Sequence, residues 1–178
     1  GPTIVPHATY DEFRNAVLGN GYDMDGSYGC QCWDGADLIW YQYGLRLYTG
    51  PQGYAVECWT VSRALNAVHP FTDMYTGPQG IKRGDIVVFA ATSSNPAGHI
   101  AYADEDYNGG PTLNCLGQNQ GPGSGEYGTV FNIWANNASE IIGAFRNTNW
   151  IVEPPTPTRK KSGFPWVLFA RKFRSGMR

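Results

Sequence analysis

At 178 residues, with 42% hydrophobic and 14% aromatic side chains, the chain is long enough to bury a real core, which excludes a disordered or fibrous protein. The formal net charge of −2 hides an asymmetry, because residues 159–178 carry seven of the 13 lysines and arginines and no acid, leaving residues 1–158 near −9. The acidic body should not bind nucleic acid through its own field, since displacing phosphate counterions needs a positive surface.

Thr9-Tyr10-Asp11-Glu12 has the form of a capping box, and Phe13, Val17 and Leu18 supply an apolar face, so a first helix is predicted over 10–19. An acidic loop, Asp23-Met24-Asp25-Gly26-Ser27-Tyr28-Gly29, comes next. A second helix is predicted over 31–43, where Cys32, Ala36, Ile39 and Tyr43 recur at helical spacing on one face. Cys32 then points with the buried residues, while Asp34, roughly 200° around the helix, points away from them. A third helix is predicted over 56–68. Tyr48-Thr49-Gly50-Pro51-Gln52-Gly53 recurs as Tyr75-Thr76-Gly77-Pro78-Gln79-Gly80, and both copies read as turns. Two short copies do not make a solenoid.

From Asp85 onward, short apolar runs alternate with Gly, Asn and Pro clusters, predicting antiparallel strands over 86–90, 99–103, 112–116, 129–134 and 141–145. Pro154-Pro155-Thr156-Pro157-Thr158 then breaks regular structure and reads as an extended linker. The expected organisation is a folded domain over 1–152 and a Pro-rich linker with a basic, aromatic tail over 153–178. The fold class is α+β, with N-terminal helices packed on an antiparallel sheet of about five or six strands.

The cysteines are Cys30, Cys32, Cys58 and Cys115; their spacing matches no small disulfide scaffold and contains no Cys-x-x-Cys, so reduced thiols are expected. Cys58 and Cys115 read as small buried hydrophobes. Cys32 begins a helix, where open N–H groups and the macrodipole favour a thiolate, and this makes it the candidate nucleophile. Cys30 precedes the helix and lies off the apolar face. A nucleophilic thiol needs a base, and of His7, His69 and His99 only His99 opens a predicted strand. Asn119, in Gly117-Gln118-Asn119-Gln120 on the next strand, is placed to orient the imidazole. Taken singly, each residue also has an ordinary reading: a cysteine on an inner helix face is usually packing, and a histidine at a strand start is usually a hydrogen-bonded structural residue.

The order of these parts, helix-borne Gln31-Cys32-Trp33-Asp34, strand-borne Gly98-His99-Ile100-Ala101 and then Gln118-Asn119, resembles the CHAP domain, the papain-like amidohydrolase and peptidase module common in bacteriophage endolysins. The likeness covers about residues 8–150. It implies a papain-like cysteine hydrolase in which Cys32 attacks an amide carbonyl of bacterial peptidoglycan, His99 moves the proton and Asn119 orients His99. Relatives often carry a glutamate two positions before the asparagine, where this chain has Gly117. The bond cut would be that of an N-acetylmuramoyl-L-alanine amidase or of a cross-bridge endopeptidase. Two rivals stay open: an NlpC/P60-type cysteine peptidase of different specificity, and a calcium-stabilised wall-binding module without catalysis.

Asp23, Asp25, Ser27, Gly29 and Asp34 follow the ligand rhythm of an EF-hand loop, with hard oxygen donors that suit Ca2+. Tyr28 stands where that loop has Gly, and Asp34 where it has Glu. Calcium-binding CHAP endolysins look similar at these positions; the plainer reading is an acidic turn with Asp34 capping the helix. The tail, with Trp166, Phe169 and Phe173 among Arg and Lys, suits an anionic membrane or a wall polymer, and reads equally as a linker remnant or an added peptide. No apolar stretch is long enough to span a bilayer and no secretory leader is visible, so a monomer made in the host cytoplasm and released to the wall is expected.

Overall fold

In the computed structural model, which describes residues 5–74 and 77–151, Thr9 starts helix α1 (Tyr10–Val17). Its hydroxyl accepts from the Glu12 N–H at 3.1 Å, and the Glu12 carboxylate accepts from the Ala8 N–H at 3.0 Å. Tyr10, Phe13 and Val17 are the buried face. Helix α2 (Cys32–Gln42) is not one-sided as its periodicity suggested: Asp34, Gly35, Ala36, Asp37, Leu38, Ile39 and Trp40 are all buried. Asp34 therefore does not point away into solvent, because the 23–29 loop folds over it, leaving it 1% exposed. Asp37 is satisfied by the Leu47 N–H at 2.7 Å and Arg46 at 2.9 Å, which ties the following chain down on the helix.

The helix expected over 56–68 is two short ones, α3 (Glu57–Thr60) and α4 (Arg63–Asn66). Ser62 divides them, its hydroxyl turned to the Thr49 carbonyl. A serine that bonds to distant backbone competes with helix continuation.

Six strands follow: β1 (Phe71–Met74), β2 (Ile86–Phe89), β3 (His99–Ala103), β4 (Thr112–Gly117), β5 (Asn132–Asn137) and β6 (Ile141–Asn147). They form one sheet in the order β1-β6-β2-β3-β4-β5, and every neighbouring pair is antiparallel. Strand β1 escaped the sequence reading because only Phe71 of its four residues is buried, so an edge strand leaves no alternation to detect. Strand β5 starts at Asn132 instead of 129 because Phe131 turns inward and is 1% exposed. On one face Ile86, Val88, Ile100, Tyr102, Leu116 and Phe145 pack against Phe13, Ile39 and Trp40 of the helices. On the other, Val87, Phe89, Ala101, Ala103, Leu113 and Cys115 form a second apolar cluster. Burial on both faces explains why β2 reads as an unbroken apolar run. The linker and tail expected over 153–178, and the end of the domain at 152, lie outside the described residues.

Trp40 joins the layers. Its ring stacks on Phe71 at 3.9 Å, meets Phe145 edge-on at 5.5 Å, and its Nε1–H donates to the Asn66 carbonyl at 3.2 Å. Trp40→Ala is expected to cost about 3–5 kcal/mol, a fall in melting temperature on the order of 10 °C. Scanning calorimetry checks this, and an unchanged transition would contradict the packing described.

Candidate active site

Cys32 is the first residue of α2, with Gln31 as its N-cap. Gln31 is pinned from beyond the sheet: its side-chain amide donates to the Tyr28 carbonyl at 2.7 Å and the Glu126 carbonyl at 2.6 Å, and its carbonyl accepts from Gln118 at 3.0 Å. The helix start is thus fastened to the end of β4. The backbone amides of Ile100, Trp33 and Cys32 itself act to lower the pKa of the Cys32 thiol, two of them from the opening of the helix and one from β3. Burial outweighs these amides, and the thiol is pushed up to about 11. This corrects the expectation of a resting thiolate: at the half-buried Cys32, desolvation raises the thiol by more than the amides at the helix terminus lower it.

His99, the residue before Ile100, opens β3 and is 9% exposed. The amide that acts on the Cys32 thiol from β3 is thus the one that follows His99 in the chain. The ring lies beside Phe89, with centroids 5.7 Å apart, and its Nε2 is 3.0 Å from Gln120 Oε1. Burial holds its pKa below 6.5, with the Gln120 bond acting in the other direction. His99 forms part of the wall of a cavity of about 190 Å³, with Asn119, Gln120, Trp134, Asn136 and Glu140; Cys32 stands outside that lining.

Asn119 does not orient His99. Its backbone turns left-handed at φ 52°, its Nδ2 donates to Gln31 Oε1 at 2.6 Å and its Oδ1 accepts from the Gly125 N–H at 2.8 Å. The left-handed turn swings the amide toward the N-cap of α2 and brings the next residue, Gln120, back to the ring. Sequence reasoning missed Gln120 because the search stopped at the strand end; the signal was Gly117, a strand-terminal glycine that marks a close approach. Cys30 packs its sulfur against Gly21, and Cys58 and Cys115 are fully buried. All four thiols are free.

Two acids of the loop meet a third from α2. Carboxylate oxygens of Asp23, Asp25 and Asp34 lie within 4.8 Å of one another, a group that could hold a metal ion. Asp34 serves the helix as well, accepting from the Gln31 N–H at 3.0 Å and the Met24 N–H at 2.7 Å. Burial, and then the neighbouring Asp25 and Asp23 charges, push its carboxyl up to about 7 against those two bonds. Asp23 accepts from Gly26 and Ser27, and Asp25 from Ser27, so the loop is built around its own acids. Tyr28, at the position an EF-hand gives to Gly, takes the left-handed backbone such a turn requires, with φ 61°. The Gly29 carbonyl accepts from the Gln31 N–H at 3.1 Å.

The CHAP domain profile matches residues 20–119 of the chain. The D-alanyl-L-alanine endopeptidase of Streptococcus phage B30 is 35% identical over 125 residues, 69% of this chain and 27% of that protein. The crystal structure of the wild-type endolysin LysIME-EF1 superposes with a TM-score of 0.62 at 25% identity, covering 77% of this chain and 62% of that one. The chain thus spans about a quarter of the first relative and under two thirds of the second.

Proposed function

The chain belongs to the CHAP domain family, and from that premise we propose that it hydrolyses an amide bond of bacterial peptidoglycan as the catalytic part of a phage endolysin. Cys32 is the nucleophile and His99 the base. The reading is supported by Cys32 opening α2 while the backbone amide of Ile100, the residue after His99 in β3, acts on its thiol. As the sulfur attacks the carbonyl carbon, His99 takes the thiol proton; it returns the proton to the departing amine as the C–N bond breaks. Water then releases the acyl group from sulfur. The open amides at the start of α2 stand beside the sulfur, where negative charge develops. The name of the phage B30 relative favours a D-alanyl-L-alanine bond in the cross-bridge over the muramoyl amide. Mass spectrometry of wall digests tests the bond: both cuts free an amino-terminal alanine, and a new carboxy-terminal D-alanine is expected with it, whereas new free muramoyl lactyl carboxyls in its place would reverse the preference.

Residues 1–152 are read as the catalytic unit, and 153–178 as linker and a tail that contacts wall polymer or anionic lipid, with the protein acting as a monomer at the wall after release from the host cytoplasm. No helix among the described residues is long and apolar enough to cross a membrane.

Asp23, Asp25 and Asp34, with Ser27 and Gly29, are proposed to hold Ca2+. The donors fit: three carboxylates crowd together, and one of them is raised by burial and by its neighbours' charge. The ion would supply positive charge that relieves this repulsion and pins the loop ahead of Cys32. The chelated protein, titrated calorimetrically with CaCl2, is expected to bind about one ion with a dissociation constant at or below roughly 10⁻³ M. Its melting temperature should rise with calcium. No heat and no shift at millimolar calcium would remove the ion from the account.

A further inference from the structure

Resting on the assignment of Cys32 and His99 above, we propose that Gln120 is the positioning residue that fixes the tautomer and plane of the His99 imidazole, through a neutral amide. Gln120 is 4% exposed. Its Nε2 donates to two backbone carbonyls, Cys115 at 2.8 Å and Asn132 at 3.1 Å. Carbonyls only accept, so the amide has one orientation: turned over, it would set its oxygen against two other oxygens. Oε1 therefore faces the ring, 3.0 Å from His99 Nε2 and 3.0 Å from Asn136 Nδ2, which donates to it. An oxygen acceptor at that place requires the hydrogen on Nε2, which leaves the lone pair on Nδ1. That nitrogen is then the one free to receive a thiol proton.

The residue is held as a positioning group must be. Its backbone carbonyl accepts from Asn132 Nδ2 at 2.8 Å, so β4 and β5 both grip it. The strand end is also cut away to admit it. A Cβ on Gly117 would lie 3.2 Å from both Cδ and Oε1 of Gln120, and 2.9 Å from the Ala101 Cβ. Bare backbone at 117 and an amide at 120 are thus two halves of one arrangement. Because the amide carries no charge, it orients the imidazole without stabilising the imidazolium as a carboxylate would. The ionisable side chain that shares the cavity wall with the ring is Glu140.

The tautomer can be read directly in the full chain by long-range ¹⁵N–¹H correlation NMR, with the His99 signals assigned by their loss in His99→Gln. Nε2–H is expected, and Nδ1–H overturns the proposal whether or not any variant folds. With soluble wall fragments as substrate, Gln120→Ala should lower kcat on the order of 10²-fold, with KM within about twofold. An unchanged kcat overturns the proposal. Gln120→Glu keeps one acceptor for Nε2–H but sets its second oxygen against the Cys115 and Asn132 carbonyls that the amide nitrogen serves, so it should not restore kcat. Recovery to the wild-type kcat contradicts the single orientation assigned to the amide. If the wild-type chain releases no amino termini from purified walls, the hydrolase reading fails instead, and the tautomer result stands apart from it.

Discussion

Cys32→Ser is expected to lower the release of amino termini from purified walls by at least about 10³-fold while leaving the melting temperature within a few degrees. The change keeps the size of the side chain and its place at the start of α2, so the Ile100, Trp33 and Cys32 amides still have an acceptor. What is lost is the nucleophile, because a serine hydroxyl does not lose its proton to an imidazole as readily as a thiol does. Cys30→Ser in parallel should cost little, since that sulfur lies against Gly21 and no contact ties it to the His99 strand. If Cys30→Ser were the inactive protein and Cys32→Ser the active one, the nucleophile would have been assigned to the wrong thiol.

His99→Ala is expected to reduce kcat/KM by about 10³-fold or more at neutral pH, as removal of a general base from a nucleophilic pair does. Its pH consequence has a definite sign. The imidazole works as a base only when neutral, and burial holds its pKa below 6.5, so the acid limb of kcat/KM in the wild-type chain should lie below pH 6.5. The same shift acts on stability. The unfolded chain takes up a proton on this residue at higher pH than the folded one does. The stabilisation is therefore complete above the unfolded value of about 6.5 and is lost as pH falls through the folded value. Melting curves of wild type and His99→Ala between pH 7.5 and 5 should converge toward the acid end. A wild-type acid limb above 6.5 would mean that a carboxylate reaches the ring in solution.

Much of this arrangement was legible in the chain. Helix α1 was announced by Thr9 and Glu12, and β2 and β3 by apolar runs between turn residues, because each signal is local. Cys32 and His99 could be singled out from where they open their elements. The acidic cluster was legible as well, since Asp23, Asp25 and Asp34 come together. The failures share a physical origin in tertiary context. Asp34 looked exposed because helical geometry places it off the apolar face, yet a loop ten residues upstream covers it. The Cys32 thiol looked activated by its helix, yet burial against β3 decides its proton affinity. Asn119 looked like the partner of His99 because it ends a strand. A left-handed backbone at that residue, invisible in composition, hands the contact to Gln120.

End-group analysis of purified walls digested side by side with the wild-type chain and Cys32→Ser tests the hydrolase account most directly. The account requires new amino termini and no new reducing sugar ends from the wild type, and neither from the variant. New reducing ends, or amino termini released equally by Cys32→Ser, would contradict it.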